Sequence, residues 1–295
     1  MSLYSAHTYL MMFHRLLSAF VFALALPRLC VGVVVCLCIP TLCSAQEKVI
    51  YPHSVFWHKT EINEIFPSGW GVGLDFVYRS KNEMGQGSIF DARLRESIRP
   101  WLNYQVTPTS RFSLSPVGYM MTHEYVGKPE DIERLPYHEL RTTMQFFHHD
   151  KYFDGKLMQT WRYRYELRWQ ERAGMDEYRF FQRFRIRYRL RYVLNGEDFY
   201  RNNTAYLMAS NEIGLNFGSN VYLNTFNQNR LYVGLGYRFF QALRAELRYV
   251  DRIRTRGTTG FEFDHGRGLM FTLYVDQLSG VDVDAPDLPS VRFSD

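Results

Sequence analysis

From Arg179 to Tyr192 the chain reads R-F-F-Q-R-F-R-I-R-Y-R-L-R-Y. Arg183, Arg185, Arg187, Arg189 and Arg191 alternate one-for-one with Phe184, Ile186, Tyr188, Leu190 and Tyr192. On a helix, residues two apart would scatter both sets around the circumference. On a strand, all the arginines share one face and all the apolar and aromatic side chains the other. A ribbon that is oily on one side and densely charged on the other suits a wall between lipid and a polar interior, as in a transmembrane β-barrel.

The same period of two recurs along the chain. Val72, Leu74, Phe76 and Tyr78 alternate with Gly71, Gly73, Asp75 and Arg79, and Ile98 to Tyr104 alternate around Arg99, Trp101 and Asn103. Leu140, Met144 and Phe146 oppose Glu139, Arg141, Thr143 and Gln145. Trp161, Tyr163, Tyr165, Leu167 and Trp169 oppose Arg162, Arg164, Glu166 and Arg168. Leu231 to Phe239 oppose Arg230, Gly234 and Arg238; Leu243 to Tyr249 oppose Arg244, Glu246 and Arg248; Leu269 to Val275 oppose Thr272, Tyr274 and Asp276. With the less regular segments 54–66, 110–125 and 203–216, eleven candidate strands result. Most keep their alternation for about nine residues or more, the length that crosses a bilayer at a tilt, whereas strands of soluble proteins centre on about 5–6. Turns at 67–69, 107–109, 150–155 and 240–241 are short, and the connections at 80–88, 126–135, 171–177, 217–227 and 255–267 are long. Bacterial barrels of one chain normally have an even number of strands. The expected architecture is therefore an all-β, antiparallel, up-and-down transmembrane barrel. Twelve strands are preferred, with two short ones inside 46–66; ten is the alternative, with the first segment outside the wall.

The N-terminus supplies the export route. Residues 1–45 contain no Asp or Glu, carry His14 and Arg15 ahead of the apolar run Leu16–Leu26, and end Cys43-Ser44-Ala45. That pattern predicts a secretory signal peptide cleaved between Ala45 and Gln46. Arg28 and the abrupt change to polar sequence favour cleavage over an anchor helix. The mature domain would be 46–295, with a wall over about 54–278 and a polar tail at 279–295. All four cysteines (Cys30, Cys36, Cys38 and Cys43) lie in the leader, so disulfide and thiol chemistry are excluded after processing. The mature chain keeps 33 basic and 30 acidic residues. That near balance, the export signal and the lack of a recognition motif argue against nucleic acid. Trp57, Trp70, Trp101, Trp161 and Trp169 are candidates for the interfacial aromatic girdles.

The run Asn211-Glu212, followed by F-N-Q-N-R-L-Y-V-G-L-G-Y-R-F from Phe226 to Phe239, resembles the C-terminal half of a bacterial outer-membrane β-barrel family filed as domain of unknown function 2490. The arginine–tyrosine strands at 161–192 and the Gly69-Trp70-Gly71 strand are similar to its pattern. The resemblance covers roughly 54–278. It implies a fold and an outer-membrane location, with no activity established. One departure is the segment from Ser279 to Asp295 after the last strand, where many such barrels end on an aromatic residue.

The alternation assigns Arg162, Arg164, Glu166, Arg168, Arg183, Arg185, Arg187, Arg189, Arg191, Glu212, Arg230, Arg238, Arg244, Glu246 and Arg248 to the lumen. It assigns Trp161, Tyr163, Tyr165, Leu167, Phe184, Ile186, Tyr188 and Leu190 to lipid. At least thirteen inward arginines, with Glu139, Asp75 and Asp276 among the acids, predict a lumen largely filled by Arg–carboxylate pairs that brace the strands. An arginine-lined route for a small anionic solute is the functional counterpart. Ten to twelve strands are few for an open channel. The predicted function is a structural or narrow transport barrel of the bacterial outer membrane, with lipids as its surroundings and the barrel-assembly machinery as its partner during insertion. The alternative is a lipid acyl hydrolase or transferase, for which His148, His149 and His123 are candidate bases and Ser113 or Ser115 candidate nucleophiles. No local catalytic motif supports it. Adjacent strand residues point to opposite faces, so His148, His149 and Asp150 make a poor metal site; no metal or cofactor is expected.

Overall fold

A computed structural model describes residues 47–83, 87–172, 177–257 and 259–277. The leader, its cleavage site at Ala45 and Gln46, and the tail from 279 lie outside the described residues. Eleven strands follow one another: β1 (Val49–Ile65), β2 (Trp70–Lys81), β3 (Ala92–Thr107), β4 (Ser110–Thr122), β5 (Tyr137–Tyr152), β6 (Leu157–Arg172), β7 (Tyr178–Val193), β8 (Thr204–Phe217), β9 (Phe226–Phe240), β10 (Leu243–Thr255) and β11 (Glu262–Asp276). They form a closed barrel in which each strand pairs with its neighbours in sequence and β1 pairs with β11. Every consecutive pair is antiparallel, with bulges in β3 and β4 among others.

The strand number corrects the expectation of twelve or ten. Segment 46–66 is not two short strands but one long strand, β1, and it belongs to the wall. Being odd in number, the first and last strands run the same way. They close the barrel as a parallel pair in unbroken register from Val49↔Glu262 to Asn63↔Asp276. Parallel pairing satisfies the backbone groups of both edges as fully as antiparallel pairing does, with slanted rather than perpendicular bonds. The even-number expectation rests on closing with an antiparallel pair, and this chain does not.

Gly268 makes the seam possible. It faces Val55 across the β1–β11 pair. A Cβ built there would stand 1.8 Å from the Val55 carbonyl oxygen and 2.8 Å from its carbonyl carbon. Only a residue with no side chain allows the two backbones this approach.

Connections divide between the two mouths. At one end, four of the five are tight: 66–69, 108–109, 153–156 and 241–242. The fifth, 194–203, turns inward and buries Phe199 against Met158, Val193, Tyr206 and Met208. The connections at the opposite end, 82–91, 123–136, 173–177, 218–225 and 256–261, are longer on the whole. We refer to the short-turn and the long-loop mouth.

At the long-loop mouth the 123–136 connection carries a single 3-10 turn, Pro129–Asp131. Asp131 fastens it to the rim. Its Oδ2 accepts hydrogen bonds from the backbone N–H groups of Gly127 (2.9 Å) and Lys128 (3.2 Å) and from Arg256 (2.8 Å). Arg256 reaches on to Asp264 at 2.7 Å. Burial by itself would raise the Asp131 carboxyl; the Gly127 N–H and the Arg256 guanidinium outweigh it and hold the group below the ordinary carboxylate range. The fastening places Tyr125 inside the barrel, 2% exposed.

Candidate functional site

Period-two alternation of β6 and β7 makes two unlike faces. Arg162, Arg164, Arg168, Arg183, Arg185 and Arg189 are buried, as are Arg230, Arg238, Arg244 and Arg248 on β9 and β10. Arg187 and Arg191 are half-buried and line the main cavity. On the opposite face Tyr163 and Ile186 are exposed on the outer surface. Trp161, Tyr165, Leu167, Phe184, Tyr188 and Leu190 stand beside them, partly covered by their neighbours.

The interior changes character with depth. Near the middle, three glutamates with exposure of 2% or less each collect several guanidinium groups. Glu139 accepts from Arg168 through Nε (3.0 Å) and Nη2 (2.8 Å), from Arg141 Nε (2.6 Å), and from Gln170 (2.6 Å). Glu166 accepts from Arg183 Nε (2.6 Å), Arg141 Nη1 (3.2 Å) and Arg185 Nη1 (3.1 Å). Glu212 receives Arg162, Arg185 and, at 3.3 Å, Arg230. Arg141 thus joins Glu139 to Glu166, and Arg185 joins Glu166 to Glu212, so one network runs from β5 across to β9. Glu246 is separate; it accepts hydrogen bonds from Tyr206 and Tyr274, both at 2.9 Å. Charge-assisted bonds of this kind are roughly twice as strong as neutral ones, and each guanidinium fixes the spacing of two strands.

Toward the long-loop mouth the interior turns apolar. Val55, Trp57, Leu94, Tyr125, Tyr232, Val250 and Met270 form one buried cluster. Trp57 is fully buried, with the guanidinium carbons of Arg79 and Arg230 at 4.0 and 5.4 Å from its ring. It is therefore not a girdle residue, and neither is Trp101, which is 4% exposed and faces Arg99 and Arg164 inside. Position explains both: each shares its parity with polar or charged inward neighbours, Lys59 and Glu61 for Trp57, Arg99 and Asn103 for Trp101. Trp70, by contrast, is exposed.

Toward the short-turn mouth the interior widens into a cavity of about 740 Å³. Eleven Lys and Arg and six Asp and Glu line it, an excess of five positive charges. Below it a smaller space of about 90 Å³ lies among Arg79, Arg99, Arg141 and Arg230, adjoining the cavity at Arg162, Arg164, Arg187 and Arg189. The cavity is thus a vestibule that narrows into the Arg–Glu network.

The candidate catalytic residues separate. Ser113 is fully buried on the inner face, where its hydroxyl donates to Asn103 Oδ1 at 2.6 Å; Ser115 is buried on the same face. His149 lines the vestibule. His148 points outward and meets a serine that the sequence reading did not single out. Ser110 Oγ lies 2.9 Å from His148 Nδ1, and His148 Nε2 lies 3.2 Å from Asp150 Oδ1. The pairing is cross-strand, Ser110 opposite His148, and nothing local in the sequence marks it.

Comparison with known proteins adds the family. No curated protein matches the chain. A solved structure of the NanC porin, in a rhombohedral crystal form, is similar with 11% identity and a TM-score of 0.37, covering 72% of this chain and 93% of that one. The sequence profile of the family described as "Protein of unknown function (DUF2490)" matches residues 55–261, from β1 to the edge of β11. The chain belongs to this DUF2490 family.

Proposed function

We propose that the chain is a bacterial outer-membrane barrel of structural or narrowly selective type, closed at rest. One observation carries this reading: the lumen is obstructed twice, by the Glu139–Glu166–Glu212 network at mid-depth and by the Trp57 cluster beyond it. Membrane residence is supported by the outer surface. Val72, Ile98, Leu102, Leu140, Ile186, Leu207, Val233, Leu235, Leu247 and Leu269 are all exposed there, on strands around the barrel. Monomeric soluble proteins rarely leave so large an apolar area uncovered. Purified protein in planar bilayers is expected to show no sustained ohmic conductance, and to be recovered from outer membranes with heat-modifiable migration. A steady open-channel current would overturn the closed lumen; a soluble chain whose migration ignores boiling would overturn membrane residence.

The Ser110–His148–Asp150 chain favours a second reading, an acyl hydrolase or transferase acting on lipid at the outer wall. In that chemistry Asp150 orients the imidazole, and His148 takes the Ser110 proton as Oγ attacks an ester carbonyl. The released alcohol takes that proton, and water, or a second alcohol in transfer, cleaves the acyl-serine. Against it, Ser110 is only 8% exposed. Under the first reading a fluorophosphonate probe leaves the folded protein unlabelled. Labelling that is lost in Ser110→Ala and in His148→Ala, with acyl release from phospholipid, would establish the enzyme instead.

A further inference from the structure

The vestibule and the network below it contain the same residue types in different balance. In the network every carboxylate is shared by two or more arginines. In the vestibule three of the six acids are already engaged: Glu61 and Asp75 both pair with Lys59, at 2.6 and 3.0 Å, and Asp198 pairs with Lys151. Of the arginines above them, Arg189 meets the Tyr274 hydroxyl, and none is matched by a carboxylate of its own. Among the described residues no carboxylate lies within 4.0 Å of Arg187, Arg189 or Arg111, and Arg187 has no hydrogen-bond partner. The Nε atoms of Arg187, Arg189, Arg111 and Arg162 are buried and unpartnered. Arg189 is 3% exposed.

These groups are also pressed together. Arg162 stands directly opposite Arg187 on the β6–β7 pair. Side chains so placed have Cβ atoms about 4.5–5.5 Å apart, where like charges repel. Arg187 and Arg189 follow at successive inward positions, about 7 Å along the strand. Buried donors without acceptors, at positions where like charges meet, are costly unless a counter-charge completes them.

We propose that the vestibule binds a small, multiply charged oxyanion, a solute carrying two or more phosphate or carboxylate groups, entering from the short-turn mouth. Arg162, Arg187 and Arg189 hold it from one wall and Arg111 from another. The cavity of about 740 Å³ falls within the usual size of a small-molecule site. The inference rests on the closed-lumen reading, which makes the space an end-point for a ligand and not one stretch of a pore.

The test is calorimetric titration of the purified full-length barrel in detergent with inorganic pyrophosphate at low ionic strength. Saturable binding is expected, weakened by 0.15 M salt and by about tenfold or more in Arg187→Gln/Arg189→Gln, the loss of two charge-assisted contacts. Arg93→Gln alters an exposed arginine beyond the vestibule and should bind as wild type. Heat-modifiable migration checks that each variant is folded; should the double variant fail to fold, Arg111→Gln provides the same reading from the other wall. Absence of saturable binding, or equal weakening by Arg93→Gln, would overturn the site. Failure of the underlying reading looks different: pyrophosphate would still bind while bilayers showed a steady current.

Discussion

Replacing Gly268 with alanine should leave most of the protein unable to close its barrel. The new methyl would lie 1.8 Å from the Val55 carbonyl oxygen, an atom held in the β1–β11 ladder and unable to swing aside. Relief requires the two strands to part where they alone close the wall. Overpacking of a well-packed site costs about 1–3 kcal/mol, and more where backbone must move, so a loss of about 3 kcal/mol or greater is expected. The measurement is the fraction of heat-modifiable, protease-resistant protein after refolding into detergent, and the urea midpoint of what folds. Gly214→Ala is the control. There an added Cβ meets only side-chain atoms, the Cγ atoms of Arg185 and Gln228 at 3.4 Å and Asn227 Oδ1 at 3.6 Å, so folding should be close to wild type. Similar yields from the two variants would mean that β1 and β11 do not form this seam.

Glu166→Gln should be the most damaging single change in the lumen. The substitution keeps the shape of the side chain and removes its charge. Arg141, Arg183 and Arg185 then share an interior with one fewer carboxylate to compensate them. Breaking a buried ion pair by neutralising one partner costs about 3–5 kcal/mol, because the remaining charge stays out of water. Urea unfolding in micelles should register a loss of that order. The double variant Glu166→Gln/Arg183→Gln should recover part of it, since one uncompensated guanidinium goes as well; the coupling between the two changes is then nonzero. A Glu166→Gln barrel within about 0.5 kcal/mol of wild type would show that the network is solvated and contributes little.

What the sequence disclosed depended on whether a feature is local. The faces of β6 and β7 were legible because period two is written in successive residues: every second position from Arg183 to Arg191 is arginine. Eleven strands could be counted for the same reason. Twelve strands do not form because closure depends on residues some two hundred apart, Val55 and Gly268 among them, whose pairing leaves no trace near either. Residue type alone makes Trp57 an interfacial candidate, but its parity with Lys59 and Glu61 points inward. The Ser110–His148 contact stayed hidden because cross-strand partners depend on register, and the Pro116–Gly118 bulge in β4 shifts it. The contrast between a compensated network and an uncompensated vestibule needed three-dimensional neighbours. In sequence, Arg183 and Arg187 look alike.

The odd number of strands also fixes where the ends of the barrel emerge. Val49 enters at the long-loop mouth and Asp276 leaves at the short-turn mouth. A wall with an even number of staves returns its chain to the side from which it started; this one hands it across. In whatever sheet of lipid the barrel is set, Val49 and Asp276 stand at opposite faces of it, so the seam that closes the wall also spans its full depth.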